Sequence, residues 1–236
     1  MTTYRLYVES GPQHRKTMVH VFDLLGCVER GATTDEALAN APEGIRDYLA
    51  FLRRHRERSL PSAKDPVETE VVIHVTEGTR LGEGDPEVGF APDFAPLIED
   101  QQWTYLRRLD WMQREFLELF ASVPPSDLSV RPEAGRPLRE ILAHVASAQY
   151  AYLQPPLSKP AGLAALVRAV EEGPDPLDAF AECARLGLER LAAITDEERV
   201  ATVQHGAKQW TARRAVRRML EHQWEHLVEV RARLGG

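Results

Sequence analysis

The apolar pattern of this chain changes period once, and that change limits the fold more than any other feature. In the first 75 residues apolar side chains alternate in short runs, at 4–9 (YRLYVE), 18–22 (MVHVF) and 67–75 (VETEVVIHV). Alternation sends successive side chains to opposite faces, so each run reads as a half-buried strand. From about residue 97 onward apolar residues recur three and four apart, which gathers them on one side of a helix. The stretch between, 76–96 (TEGTRLGEGDPEVGFAPDFAP), is rich in Gly, Pro and acidic residues and reads as an interdomain linker. The expected class is α+β, with domains at 1–76 and 97–236 and a linker over 77–96. A chain of 236 residues is long enough for two cores.

Within the first domain, Ser10-Gly11-Pro12-Gln13-His14 reads as a hairpin loop and residues 25–31 as a third short strand. Thr34, followed by Asp35 and Glu36, should cap a helix, since acidic residues suit the positive end of its dipole. Ala37, Leu38, Ala41, Ile45, Tyr48, Leu49 and Leu52 then follow at helical spacing. With the strand at 67–75 the order is β-β-β-α-β. In the second domain, the spacing predicts a helix over 98–121 with Trp103, Leu106, Leu109, Phe116, Leu119 and Phe120 on one side. Pro124-Pro125 stops it. Further helices are expected at 137–153, 163–172, 176–194 and 211–234, the last opened by Thr211 and closed by Gly235-Gly236. Four long amphipathic helices predict an antiparallel four-helix bundle.

His222 and His226 lie four apart in the last helix, so their side chains share one face, one turn apart. Two imidazoles at that spacing can hold one metal ion, as in the helical HExxH pair. Here Gln223, Trp224 and Glu225 stand between them, so the base of a zinc protease is not in place. His144 lies midway along the helix at 137–153, beside Ile141, Val145 and Ala148. All three histidines fall at the edge of a core-facing stripe, where facing helices could bring them together. Three imidazoles without a fourth protein ligand leave a coordination position open for water or substrate. Spacing alone also fits a surface histidine pair and a hydrogen-bonded core histidine. Glu225, Glu221, Gln149, Tyr150 and His205 are the candidates to orient such a site or exchange protons with it. For Glu221 and Glu225 the plainer reading is a solvated helix face, and for Tyr150 simple packing. Cys183 sits at an apolar helical position and reads as a buried thiol.

The segments 136–153 (RPLREILAHVASAQYAYL) and 210–234 (WTARRAVRRMLEHQWEHLVEVRARL) resemble the signature helices of the DinB-like superfamily, over about residues 97–236. That resemblance implies a four-helix bundle holding a divalent metal with one histidine of its second helix and an HxxxH pair of its last. The matching positions are His144, His222 and His226. It also implies a transition metal (zinc, nickel, iron or cobalt suit imidazoles alike) and chemistry with a low-molecular-weight thiol as cosubstrate, as in S-transferases, isomerases or hydrolases. A small-molecule electrophile is the expected substrate. Residues 4–52, with Leu25-Gly26-Cys27, the Gly31 turn and the run from Asp35 to Leu38, resemble the partial ribonuclease-H-like domain of HicB-type antitoxins. In that family the domain binds a protein partner and self-associates, while a separate module binds DNA. No such module follows here. The alternative expectation is therefore a non-catalytic regulatory or binding protein, with a homodimer plausible for either half.

Composition narrows the classes. The net charge is −7, and both sides of residue 97 are acidic, so a phosphate-tracking surface is not expected. No run approaches the length of a membrane-spanning helix. Two distant cysteines and an opening segment, MTTYRLYVES, without a basic-then-apolar pattern point to a cytoplasmic protein with free thiols.

Overall fold

The computed structural model describes residues 2–84 and 88–235. Contacts divide them into two compact units, Met1–Phe94 with Gly206–Lys208, and Ala95–His205 with Gln209–Gly236. Residues 85–87, inside the expected linker, lie outside the described residues, as does Gly236 of the expected helix stop.

The first unit carries strands β1 (Thr2–Ser10), β2 (Arg15–Val21) and β3 (Val28–Thr33), helix α1 (Thr34–Arg54) and strand β4 (Val67–Val75). The sheet order is β3-β2-β1-β4. β1 and β2 pair antiparallel, with Leu6 opposite Val21 and Val8 opposite Val19. β2 pairs antiparallel with β3, and β4 lies parallel to β1. A parallel pair cannot be closed by a tight hairpin, so the chain must cross the sheet before β4, and α1 supplies most of that crossing.

Register assigns the faces. Val19 stands opposite Glu29, and a Cβ added at Gly44 of α1 would fall 1.9 Å from the Glu29 carboxylate. The helix therefore covers the face bearing Leu6, Val8, Val19 and Val21, with Ala41, Ile45, Tyr48 and Leu52 fully buried in its own stripe. The opposite face bears Tyr7 and His20, which are register partners. Phe90 covers it, with ring centroids 5.5 Å from Tyr7 and 5.3 Å from His20. Leu81, Val88, Phe90 and Asp93 are all buried, so this part of the expected linker closes the second face of the sheet. Its polar composition hid three apolar side chains that alternate with turns and so show no period.

The cap of α1 sits one residue earlier than the sequence suggests. Thr33 accepts the Glu36 amide at 3.2 Å, and the Glu36 carboxylate accepts the Ala32 amide at 2.9 Å. Thr34 instead shares a hydrogen bond with Thr17 across to β2, at 3.0 Å.

The second unit is built on α2 (Glu99–Ala121), α3 (Leu138–Leu153), α4 (Leu163–Glu172), α5 (Pro176–Ala192), α6 (Asp196–Val200) and α7 (Ala212–Leu234). Between α6 and α7 the short strands β5 (Val203–His205) and β6 (Lys208–Trp210) pair with each other. Both α2 and α3 pack against α5 and α7, and α4 against α3 and α5. The core holds Leu109, Met112, Phe116 and Phe120 from α2, Ile141 and Val145 from α3, Phe180 from α5, and Leu220, Trp224 and Leu227 from α7. Trp103, expected on the core side of α2, is 44% exposed; the stripe runs through Tyr105 and Leu106 instead. No helix among the described residues is long and apolar enough to cross a membrane.

Glu29 supplies a test of the first unit. Burial pushes its carboxyl up to about 7, reinforced by the charge of Asp47 and partly offset by a backbone hydrogen bond from Arg30. Because the folded pKa lies above the ordinary value of 4.5, its contribution is fully present below about pH 4.5 and is lost as pH rises through about 7. The expected loss between pH 5 and pH 8 is on the order of 2–3 kcal/mol, read by denaturation with hydrogen exchange of the β2 and β3 amides. Glu29→Gln should flatten that profile; an unchanged slope would refute the assignment.

Candidate metal centre

Helix α7 presents His222 and His226 because its caps fix where it starts and stops. The Thr211 hydroxyl accepts the Arg214 amide at 3.1 Å, and Gly235 takes the left-handed conformation, φ +75°, that ends the helix. Both histidines thus fall well inside regular helix, one turn apart. Helix α3 brings His144 to the same place. His144 Nε2 lies 3.0 Å from His222 Nε2. The ring centroids are 4.8 Å apart for His144–His222, 5.0 Å for His144–His226 and 4.5 Å for His222–His226. One nitrogen from each ring can be chosen so that all three lie within 4.8 Å of one another. His226 is buried and the other two are half-buried, so the group sits at the edge of the core and not deep within it.

The donor set fits a divalent transition metal. Two imidazole nitrogens facing each other at hydrogen-bond distance either share one proton or turn both lone pairs toward a common cation. The third ring has its other nitrogen committed: His226 Nδ1 lies 2.8 Å from Glu229 Oε2. With Nδ1–H donating to that carboxylate, the Nε2 lone pair of His226 is left for a metal. The hydrogen bond from His226, with the charges of Arg233 and Arg136, holds the Glu229 carboxyl below the usual glutamate range despite its burial. Arg233 also pairs directly with Glu229, which fixes the carboxylate from its far side. Among the described residues the group contains no carboxylate or thiol ligand.

The other candidates are placed as follows. Gln149 is buried and lines a small pocket whose wall includes His222. Glu221 is 2% exposed, between Arg217 at 2.7 Å and Arg218 at 3.4 Å. It is a buried ion-pair partner, not a solvated helix face. Arg218 continues the chain of contacts by donating to the Tyr152 hydroxyl at 3.2 Å, and the Tyr152 ring meets His222 at a centroid distance of 6.0 Å. Tyr150 is turned instead toward Lys159, whose ammonium lies 3.5 Å from the ring centroid. Glu225 is half-buried on α7, and His205 is exposed on β5, outside the three-histidine group. Cys183 is fully buried on α5, and burial pushes its thiol up to about 12, so it is no nucleophile near neutral pH.

Two residues at the site escaped the sequence reading. Glu229 is three residues after His226 and seven after His222, the spacing of one helix face. Tyr152 is eight residues after His144, again the same face, whereas Tyr150, six after it, points away.

Glu229→Ala should weaken zinc binding about 10- to 100-fold, with Glu229→Gln intermediate, as read by competition with a chromophoric chelator. Equal affinity in all three proteins would show that Glu229 does not orient His226.

Against known proteins, a family model described as the DinB superfamily matches residues 108–230, just over half of the chain and inclusive of all three histidines. No curated protein and no solved structure matches the chain. The likeness of residues 4–52 to HicB-type antitoxins lies outside the matched region and draws no support from it. By its residues 108–230, the chain belongs to the DinB superfamily.

Proposed function

We propose that this protein binds a divalent transition metal (zinc, nickel or iron) through His144, His222 and His226, and acts as a thiol S-transferase or related enzyme on a small electrophile. In this reading the four long helices form an antiparallel bundle around the centre, and a low-molecular-weight thiol is the cosubstrate. The observation that carries it is the convergence of three imidazoles with no fourth protein ligand among the described residues, one of them already oriented by a carboxylate. A divalent ion held by three neutral imidazoles keeps its charge and lowers the pKa of a bound thiol. The chain's own residues do the rest. Glu229 holds the His226 tautomer, Tyr152 and Val145 border His222, and the half-buried setting limits water.

Purified full-length protein should carry about one transition metal ion per chain, and His222→Ala should lose most of it, as measured by elemental analysis. Cobalt-loaded protein should then change its visible spectrum on adding a small thiol. Metal-free protein with no uptake on loading would end the metal reading. Cobalt uptake without a thiol response would end the transferase reading alone.

A second reading, a regulatory protein that docks a partner through its first unit, is favoured by one feature. β4 is an edge strand, and Val71, Val72 and Ile73 on it are 45–49% exposed. Such an edge offers a row of backbone groups to another strand. Ile73→Lys in the full chain should then abolish a concentration-dependent mass shift in light scattering or co-purification of a protein partner. A monodisperse monomer that co-purifies with nothing would count against it.

A further inference from the structure

Beside the three histidines, a pocket of roughly 200 Å³ including its mouth opens among α2, α3 and α7. Leu109, Val145 and Met219 form its apolar walls, and Gln149, Tyr152, His222 and Gln223 its polar ones. Its enclosed part holds about one water-sized group, too little for a whole substrate and enough for one oxygen.

The polar walls are not equivalent. The Gln149 carboxamide is committed at both ends: its Oε1 accepts Gln113 Nε2 at 3.2 Å and its Nε2 donates to the Cys183 carbonyl at 3.1 Å. Gly187 makes that crossing to α5 sterically feasible, since a Cβ there would fall 1.7 Å from Gln149 Nε2. Gln149 is thus a fixed wall. The Tyr152 oxygen accepts from Arg218, which leaves its proton for a second hydrogen bond. Gln223 differs from both. It is 2% exposed, and its Nε2 has no hydrogen-bond partner among the described residues. A buried N–H left this way is costly, and among the pocket-lining residues Gln223 Nε2 is the side-chain donor that the described residues leave without a partner. Gln223 lines the same pocket as His222, so the residue bearing the unpaired donor borders the centre.

We propose that this pocket is an oxygen hole in which Gln223 Nε2–H donates to the carbonyl oxygen of a small ligand held beside the open position of the three-histidine centre. Resting on the metal reading above, this narrows the electrophile to one that carries an oxygen acceptor, such as a carbonyl compound. An alkyl halide has no oxygen acceptor to fill the hole. A donor preset at that oxygen also stabilises the negative charge that develops there when a carbonyl is attacked.

The test uses cobalt-loaded full-length protein and two probes: 2-mercaptoacetamide, which carries a thiol and a carbonyl, and 1-propanethiol, which keeps the thiol and lacks the carbonyl. Titration followed by visible absorption should show 2-mercaptoacetamide binding about tenfold tighter, a difference of about 1.4 kcal/mol. Gln223→Leu and Gln223→Met should both take up cobalt stoichiometrically and lose that preference. Cobalt uptake with no preference in the unaltered protein, or an undiminished preference in both variants, would overturn the oxygen hole and leave the metal reading standing. No cobalt uptake by the unaltered protein would overturn both.

Discussion

The approach of α3 to α7, close enough to set His144 Nε2 3.0 Å from His222 Nε2, is the contact on which the candidate site depends. Neither helix makes a site alone. The HxxxH pair on α7 supplies two nitrogens on one helical face, and a third must come from a helix packed against it. The two helices pack against each other and bury apolar side chains along their length, among them Ile141 and Val145 of α3 with Leu220 and Leu227 of α7. Burying each such side chain contributes on the order of 1.5–3 kcal/mol, far more than an imidazole contact gains, so the core holds the histidines together and not the reverse.

The same helix carries an unusual polar load. Arg217 and Glu221 are 1% and 2% exposed, and Arg218 links their ion pair to Tyr152 and so to the neighbourhood of His222. Charges buried this way stabilise little in net terms, because desolvation offsets most of their attraction, but losing one partner is costly. Their effect is to restrict which side chains can face the centre and in which rotamer. Glu229 acts at shorter range, as the carboxylate that decides which His226 nitrogen is free. Gln149, held between Gln113 and Cys183, does the same for the wall of the pocket.

Much of this was readable from residue order. The strand at 67–75 appears with the expected bounds, Thr211 caps α7, and Gly235 ends it, since turn chemistry and hydrophobic period are local properties. The three histidines were readable as one face on α7 and one position on α3. The misreadings have local causes too. Trp103 matched a helical stripe by hydrophobicity alone, yet the stripe that packs is set by which face meets α5 and α7. Tyr150 is the expected neighbour of the site, yet the ring that meets His222 is that of Tyr152, while Tyr150 faces Lys159. The stretch at 81–94 looked like a linker because Gly, Pro and acidic residues dominate it, while Phe90 supplies the ring that covers Tyr7 and His20.

The sequence by itself determined the elements, their order, the caps, and which residue types could bind a metal, because each follows from periodicity and chemistry within a few neighbours. Tertiary structure decided what lies across from what: that His144 meets His222, that Glu221 is an ion-pair partner while Glu229 orients an imidazole, and that Gln223 is buried in a pocket wall with its Nε2 unpaired among the described residues. Those relations join residues on different helices or single out one residue on a face, and hydrophobic period fixes only the face. Distance and rotamer are set by how whole helices pack, a sum over many apolar contacts that no local stretch of the chain encodes.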